Sequence, residues 1–332
     1  MSAILDVKNL RVEFLLKRKS IAAVEDVSFH LDKGKTLCIV GESGCGKSVT
    51  VTSVMRLYDK QVASVTAGSV LFGGRDLVKC SDKEMQAVCG KDISMIFQEP
   101  MTSLNPVYRI GTQMMEMVLS HSRMSRHEAW QYCIEMLDKV KIPEPARRMD
   151  EFPHQFSGGM RQRVMIAMAL SCRPQILIAD EPTTALDVTV QAQILELINE
   201  LKESMGTSVI LITHDMGVVA EMADDALVMY AGQVVEYNRA DDIFSSPKHP
   251  YTQGLLRSIP HIGNAVDMLP TIEGTVPTLG NMPKGCRFAE RCPYRTARCT
   301  QESPPMFEHA GGQVRCFLYE RELGESECSR RE

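Results

Sequence analysis

The sequence predicts an α/β fold with a mostly parallel sheet, followed by a small loop-rich C-terminal domain. Three short apolar runs flanked by turn residues indicate buried strands: TLCIV (36–40), ILIAD (176–180) and SVILIT (208–213). Amphipathic helical patterns alternate with such strands, as is typical of parallel sheets. The composition changes after residue 245, since 9 of 16 prolines fall between Pro247 and Pro305. We therefore predict domains at residues 1–245 and 246–332.

Two helices can be located from capping and periodicity. Ser125 stands three residues before Glu128, which is capping-box spacing, so a helix is predicted to start there. From Val188 onwards apolar residues recur at helical spacing, and Gly206 is expected to end that helix. The recurring residues predict a face that packs on the core: Val190, Ile194, Leu197, Ile198, Leu201 and Met205.

Composition excludes several classes of protein. The net charge of -5 gives no basic field for nucleic acid, so no nucleic-acid partner is expected. No apolar run approaches the 18 or so residues of a membrane span, and Asp6 and Lys8 interrupt the N-terminus before any signal-peptide pattern. We expect a cytoplasmic chain whose eleven cysteines are reduced, catalytic or metal-binding rather than a disulfide framework.

The stretch GESGCGKS, residues 41–48, follows a predicted strand and precedes a helical pattern. It matches G-x-x-x-x-G-K-S/T, a loop whose backbone N–H groups surround phosphate. Lys47 is expected to reach the β- and γ-phosphates, and the Ser48 hydroxyl to ligate Mg2+. The predicted phosphate-binding residues are Gly41, Ser43, Gly44, Cys45, Gly46, Lys47, Ser48 and Val49.

Two carboxylates end the second predicted strand. Asp180 stands at its carboxyl end, where open parallel sheets bind ligands, and is expected to hold Mg2+. The adjacent Glu181 is the candidate general base for an attacking water. A strand-end pair of acids is also a common turn or capping feature, so the catalytic interpretation depends on the upstream phosphate loop.

The stretch FSGGMRQR, residues 156–163, indicates a helix start with exposed N–H groups that suit an anion. Ser157, Gly158 and Gly159 are therefore a candidate second phosphate site. Residue chemistry alone leaves the nature of that anion open.

In their order, GESGCGKS, FQEP, FSGGMRQR, ILIADEPTTALD and ITHD closely resemble the motifs of ATP-binding subunits of ABC transporters, over residues 5–240. The resemblance implies an ABC-type P-loop ATPase with a RecA-like core and a helical subdomain. It also implies ATP and Mg2+ as cofactors, and two such subunits closing around two nucleotides. Ser157 and Gly159 then resemble residues that bind the ATP held by the opposite subunit.

The same resemblance assigns roles to four further residues. Gln98 resembles the glutamine that contacts Mg2+ and water and connects to the membrane subunits. His214 resembles the histidine that contacts the γ-phosphate, and Asp187 a residue that communicates between paired sites. Phe14 resembles the aromatic residue that stacks on adenine, although a core phenylalanine in a strand is an open alternative.

Three segments resemble the dipeptide and oligopeptide importer ATPases: QEPMTSLNPV, FSGGM and SPKHPYTQGLLRSIP. That branch implies a peripheral subunit on the cytoplasmic face of the membrane that powers peptide import. Its implied partners are two transmembrane permease subunits, a second and non-identical ATPase subunit, and an extracytoplasmic peptide-binding protein. Met160 stands where the usual signature has glutamine. The cargo stays open among dipeptides, longer peptides, glutathione and metal complexes.

Other ATPase classes fit the sequence less well. An ABC protein of DNA maintenance needs a long coiled coil between phosphate loop and signature, but only 108 residues separate Ser48 from Ser157, without sustained heptads. A translation-associated ABC protein has two cassettes, whereas this chain has one set of motifs. A phosphotransferase outside transport would lack the signature.

Four cysteines cluster near the end of the sequence, at Cys286, Cys292, Cys299 and Cys316. Their spacing lacks the C-x2-C pairs of common zinc sites. Four thiolates also suit an iron–sulfur cluster, and the tails of similar importer ATPases imply a four-iron, four-sulfide (4Fe–4S) cluster here. Zn2+, buried thiols and disulfides stay open. The expected role is a structural crosslink, with redox sensing as an alternative.

Overall fold

The computed structural model describes residues 3–16, 19–98, 103–184, 186–259 and 271–320. The chain divides into two compact units, each built from several segments. The first unit comprises Met1–Ile4, Leu31–Thr36 and Lys79–Ile212, and the second Leu5–His30, Leu37–Val78 and Thr213–Glu332. The domain boundary predicted after residue 245 stays a prediction.

The elements of the described residues alternate between strands and helices along much of the chain. The strands are β1 (Ala3–Leu16), β2 (Lys19–Asp32), β3 (Thr36–Val40), β4 (Ala63–Phe72), β5 (Arg75–Asp76), β6 (Ile93–Ile96), β7 (Ile176–Asp180), β8 (Ser208–Thr213), β9 (Asp225–Tyr230), β10 (Gln233–Arg239), β11 (Phe307–His309) and β12 (Gly312–Val314). The helices are α1 (Lys47–Val54), α2 (Asp82–Val88), α3 (Ile110–His121), α4 (Arg126–Lys139), α5 (Pro145–Arg148), α6 (Gly158–Leu170), α7 (Val188–Met205), α8 (Met216–Met222), α9 (Ala240–Ser245), α10 (Pro250–Arg257) and α11 (Ala297–Gln301).

The predicted α/β fold is confirmed, and the three predicted strands are β3, β7 and β8 with the predicted bounds. Every residue of these strands is buried, as expected of the interior of a parallel sheet. The capping box at Ser125 is also confirmed, since Ser125 and Glu128 satisfy each other's backbone N–H groups at the start of α4.

Helix α7 ends as the sequence predicts, because Gly206 adopts a left-handed φ of 67°. Its stripe packs on the core at Ile194, Leu197, Ile198 and Leu201, which are buried. Burying an aliphatic side chain contributes about 1.5–3 kcal/mol, so this face holds the helix in place. Val190 and Met205 are only half-buried, at the two ends of the stripe.

In the first unit, β6, β7 and β8 are parallel and adjacent in that order. Helices α3 to α6 are inserted between β6 and β7, which agrees with the expected helical subdomain. The residues that follow β6 and β7 therefore emerge at the same edge of these strands, at their carboxyl ends.

In the second unit, an antiparallel sheet has the order β2-β1-β4-β5. A further group has the order β11-β12-β10-β9-β3, in which β3 and β9 are parallel and the other pairs antiparallel. Strand β3 leads directly through residues 41–46 into α1. Strands β11 and β12 join this group from the C-terminal region.

Among the residues that the structure describes, no helix combines the length and the apolar composition needed to cross a membrane.

Candidate functional site

The loop between β3 and α1 has a backbone that requires glycine. Gly41, Gly44 and Gly46 have φ values of 150°, 77° and 101°. A Cβ at Gly41 would lie 2.2 Å from the Met229 carbonyl oxygen, so a larger residue cannot fit without moving the backbone. Gly46 is the N-cap of α1 and has no side chain to cap the helix. The first N–H groups of α1 therefore receive no side-chain hydrogen bond from the N-cap.

Lys47 lies inside this loop and is buried. Its Nζ donates hydrogen bonds to the carbonyl oxygens of Gly41 (2.8 Å) and Glu42 (3.2 Å). The ammonium group is thus held where the loop curls, close to the backbone of the residues predicted to bind phosphate. Cys45 is buried, and this burial raises the pKa of its thiol, so the side chain serves as an apolar filler.

The remaining candidates of the second unit differ in exposure. Ser48 and Val49 lie in the first turn of α1 and are half-buried, whereas Ser43 and Gly44 are exposed. Phe14 lies on β1 opposite Ala63 of β4 and is half-buried, so part of its side chain remains accessible. His214 directly follows β8 and is exposed, and Asp215 separates it from α8.

In the first unit, Glu181 is fixed by side chains from two directions. Gln98, just after β6, donates from its side-chain amide to Glu181 Oε2 at 3.0 Å, and the Thr184 hydroxyl donates to the same oxygen at 3.0 Å. The Glu181 N–H donates to the Ile212 carbonyl oxygen of β8. Glu181 has a φ of 44°, an unfavourable backbone conformation for a residue with a side chain. Asp180 precedes it at the end of β7 and is buried.

The signature residues form the start of α6. Ser157 is its N-cap, and the Ser157 hydroxyl accepts a hydrogen bond from the Met160 N–H at 3.3 Å. Ser157 and Gly158 are exposed, as the sequence predicts for an accessible helix N-terminus. A Cβ at Gly159 would lie 2.9 Å from a methyl group of Val190, so packing against α7 favours glycine there.

Asp187 is the N-cap of α7, and its carboxylate accepts from the Val190 N–H at 2.9 Å. Side-chain capping of this kind contributes about 1 kcal/mol to a helix. Asp187 therefore has a structural role besides the communication role that its resemblance implies.

The structure thus brings together two sets of candidate residues. In the second unit, residues 41–48 form one loop that is closed by Lys47. In the first unit, Gln98 and Glu181 are hydrogen-bonded, and Asp180 adjoins Glu181 in the chain.

The four tail cysteines, Cys286, Cys292, Cys299 and Cys316, line one cavity of about 290 Å3. All four are free thiols, so the disulfide alternative is absent from the structure. Burial raises the pKa of Cys286, Cys292 and Cys316, the last to about 11. Among the described residues, however, no group of three or more His, Cys, Asp or Glu side chains is placed to hold a metal ion. The described residues therefore show no ligand geometry for the predicted metal site.

Sequence reasoning missed three residues that contact Glu181 or Glu42, the second residue of the phosphate-binding loop. Thr184 contacts Glu181, as described above. Tyr251 of α10 accepts a hydrogen bond at its Oη from the Glu42 N–H at 2.8 Å, and Arg291 forms an ion pair with the Glu42 carboxylate. The latter two partners lie 209 and 249 positions from Glu42, and no spacing rule connects such distant residues.

Comparison with protein families defines the class. The family described as ABC transporter matches residues 24–184, and the family described as oligopeptide/dipeptide transporter, C-terminal region, matches residues 235–299. Among curated proteins, the chain is 51% identical to the oligopeptide transport ATP-binding protein AppD of Bacillus subtilis, over 98% of this chain and 99% of that protein. It is 50% identical to OppD of Escherichia coli, which has the same description, over 97% of this chain and 95% of that protein.

The dipeptide transport ATP-binding protein DppD of Bacillus subtilis is 52% identical, over 97% of this chain and 96% of that protein. The chain therefore belongs to the ABC transporter family of ATP-binding proteins. Within it, the chain groups with the ATP-binding proteins of oligopeptide and dipeptide transport.

Solved structures agree with this assignment. A bacterial ABC transporter cassette, solved as a dimer, is 28% identical with a TM-score of 0.64, covering 71% of this chain and 98% of that chain. A dimeric cassette in a post-hydrolysis state bound to ADP and Pi is 27% identical, with the same TM-score and coverage. The predicted P-loop ATPase fold is confirmed, and the chain is an ATP-hydrolysing subunit of an ABC transporter.

Proposed function

We propose that this chain hydrolyses ATP to power the import of dipeptides or oligopeptides, as a peripheral subunit on the cytoplasmic face of the membrane. The observation that carries the proposal is the identity of about half of all residues with peptide-transport ATP-binding proteins over nearly their whole length. That similarity includes the tail, where the oligopeptide/dipeptide transporter region matches.

In this proposal residues 41–49 hold the phosphates of ATP, with Lys47 countering their charge. Phe14 stacks on adenine, for which its half-exposed side chain is suited. His214 contacts the γ-phosphate from its exposed position after β8. Ser157, Gly158 and Gly159 act on the nucleotide of the paired subunit, and Asp187 communicates between the two sites.

The residues proposed for Mg2+ supply the donors that this ion prefers. Ser48 contributes a hydroxyl, Gln98 an amide oxygen and Asp180 a carboxylate, and hard divalent cations favour such oxygen ligands. A bound Mg2+ supplies positive charge to the phosphates.

Glu181 is proposed as the general base that orients and deprotonates the attacking water. Its carboxylate has a defined direction because Gln98 and Thr184 both donate to Glu181 Oε2. Positioning of this kind carries much of the catalysis in phosphoryl transfer to water.

The proposed assembly contains two transmembrane permease subunits, a second and non-identical ATPase subunit, and an extracytoplasmic peptide-binding protein. The relatives described as peptide-transport ATP-binding proteins support the membrane partners. A C-terminal domain at residues 246–332 remains part of this proposal, supported by the separate family match that starts at residue 235.

For the tail we propose a 4Fe–4S cluster on Cys286, Cys292, Cys299 and Cys316, with Zn2+ as the alternative. In favour of this, the donor set consists of four free thiols around one cavity. Against it, no three of these thiols are placed together as metal ligands in the structure, so the side chains would have to move together on binding. The proposed role is a crosslink of a segment with few long apolar runs.

The proposed function is tested by reconstituting the chain with its co-purifying membrane proteins in proteoliposomes. With ATP on the side of this chain, a labelled dipeptide or oligopeptide should accumulate across the bilayer, and Lys47→Ala should prevent accumulation. Accumulation that proceeds equally with Lys47→Ala would refute the role of this chain as the motor. Hydrolysis without transport of any peptide tested would refute the peptide cargo.

A further inference from the structure

The phosphate-binding loop carries an acidic residue at its second position, which is unexpected in a loop that binds a polyanion. Glu42 lies between Gly41 and Ser43, and the Nζ of Lys47 donates to both the Gly41 and the Glu42 carbonyl oxygens. An uncompensated carboxylate there would repel the phosphates of ATP. The loop therefore needs a second positive charge close to Glu42, in addition to the charge of Lys47.

Arg291 of the C-terminal region supplies that charge. Its two terminal nitrogens donate to the two carboxylate oxygens of Glu42 over 2.9 and 3.1 Å, which is the strong bidentate form of this pair. The Arg291 side chain is only 6% exposed, and that of Glu42 is 29% exposed. Solvent therefore screens this pair less than it would screen a pair on the surface.

The position of Arg291 is fixed by its other contacts. It donates to Tyr230 Oη at 3.2 Å and to the carbonyl oxygens of Ile272 and Glu273 at 3.0 and 2.9 Å. Its guanidinium group also lies 5.6 Å from the centre of the Tyr230 ring. Burial lowers the pKa of Arg291, but the hydrogen bonds to Glu42 and Tyr230 outweigh this and raise it. The side chain is thus a permanent cation, aimed at Glu42.

A second contact from the C-terminal region reaches the same loop residue. The buried Tyr251 accepts the Glu42 N–H at its Oη, and the Tyr251 ring packs edge-on against Tyr230 with centroids 4.7 Å apart. Phe288 packs against both of these rings and stands three residues before Arg291. The loop is therefore held both at its backbone and at its carboxylate.

We propose that Arg291 is a positioning residue for ATP binding, which neutralises Glu42 and holds the phosphate-binding loop from the C-terminal region. The inference rests on the proposed role of residues 41–49 in holding ATP. It assigns part of the nucleotide affinity to a residue outside the motifs that define the ATPase. Arg291 directly precedes Cys292, so the segment that lines the thiol cavity also carries the residue that holds the loop.

The test is the equilibrium affinity of the purified full-length chain for ATP with Mg2+, measured by calorimetry. Arg291→Met replaces the arginine by an unbranched apolar side chain and so removes the charge. It is expected to raise the Kd for ATP about tenfold, or about 1.4 kcal/mol. The matched control is Arg295→Met, at an exposed arginine of the same segment, which should bind ATP as the wild type does. The Kd of Arg291→Lys should lie between those of the wild type and Arg291→Met, because lysine keeps the charge but cannot make the bidentate pair.

The double variant Glu42→Gln with Arg291→Met separates charge from packing. If the unpaired carboxylate is what weakens binding, removing it returns the Kd to within about twofold of the wild type. A double variant that stays as weak as Arg291→Met, or an Arg291→Met chain that binds as the wild type does, would overturn the inference. Thermal unfolding of every variant identifies those that fail to fold, and in the assembled transporter KM should rise with little change in kcat.

Lys47→Ala in the same assay tests the proposed function separately. If Lys47→Ala binds ATP more weakly than the wild type and Arg291→Met binds it equally well, only the role of Arg291 is refuted. A Lys47→Ala chain that binds ATP as the wild type does refutes the loop as the ATP site, and the inference with it.

Discussion

The side-chain amide of Gln98 donates a hydrogen bond to the carboxylate of Glu181, with 3.0 Å between the two atoms. Gln98 follows β6 and Glu181 follows β7, which are adjacent parallel strands. Adjacent parallel strands deliver the residues after their carboxyl ends to the same edge of the sheet. Gln98 is the residue expected to contact Mg2+ and to connect to the membrane subunits. This hydrogen bond therefore joins it to the proposed general base.

Replacing Gln98 tests the value of that contact. Gln98→Ala removes a donor to a charged group, an interaction of about 1.5–3 kcal/mol, and leaves Glu181 less well oriented. We expect kcat for ATP hydrolysis in the assembled transporter to fall at least tenfold, with little change in KM. Gln61→Ala, at an exposed turn position, is the matched control. An unchanged kcat for Gln98→Ala would contradict the orienting role.

Gly41→Ala tests the steric demand of the phosphate-binding loop. The added Cβ would lie 2.2 Å from the Met229 carbonyl oxygen, so the loop backbone must shift. ATP affinity is expected to fall at least tenfold, and the melting temperature to drop. Gly34→Ala is the control, because Gly34 also has a positive φ, of 74°, but a Cβ there meets no atom within 4 Å. Gly34→Ala should lower the free energy of unfolding by only about 1–2 kcal/mol, the cost of a left-handed residue with a Cβ, and ATP affinity should be retained.

Because His249 is buried, we expect the folded chain to lose stability in mild acid. Its burial, together with the positive charge of Arg315, lowers the pKa of His249 from 6.5 to about 3. The unfolded chain therefore binds a proton as pH falls below 6.5, whereas the folded chain does not until about pH 3. Stability is lost across that window, amounting to about 2 kcal/mol at pH 5.

Chemical denaturation at pH 7.5 and pH 5 measures this loss. In the wild type, the free energy of unfolding should fall between these pH values by more than it does in His249→Asn. The asparagine can retain an acceptor for the Tyr251 N–H, which His249 Nδ1 now accepts at 3.1 Å. His127→Asn, at an exposed position on α4, should behave as the wild type does. Equal losses in wild type and His249→Asn would rule out His249 as the source.

The tail cysteines make a prediction about metal content. If the four thiols hold a 4Fe–4S cluster, chain purified without oxygen should contain about four iron atoms and absorb broadly in the visible range. Cys292→Ser should lose most of that iron, whereas Cys89→Ser, at a half-buried cysteine of the other unit, should retain it. Zinc in place of iron would select the alternative. Finding neither metal in the wild type would contradict the proposed crosslink.

Much of the fold follows from local sequence signals. Strands β3, β7 and β8 match the predicted bounds because each is a short apolar run between turn residues. The start of α4 and the end of α7 follow from Ser125 with Glu128 and from Gly206. The phosphate-binding loop is equally local, since its glycines, its lysine and its neighbouring elements are consecutive in the chain.

Contacts between distant residues could not be predicted in this way. The contacts of Tyr251 and Arg291 with Glu42 depend on how α10 and the cysteine-rich segment pack, and a single sequence carries no spacing rule for that. The cysteine cluster is a second example of what a single sequence does not predict. The four cysteines that are close in the sequence line one cavity, but the predicted ligand geometry depends on side-chain positions that spacing does not determine.

The central claim is that ATP hydrolysis governed by Glu181 drives peptide import. It is tested most directly by measuring ATP hydrolysis and labelled-peptide uptake together in proteoliposomes that contain the assembled transporter with Glu181→Gln. Glu196→Gln, on the exposed face of α7, is the matched control. Because glutamine cannot accept the proton, hydrolysis and uptake should both fall at least a hundredfold while ATP binding is kept. Hydrolysis and peptide uptake at the wild-type rate in Glu181→Gln would contradict the account.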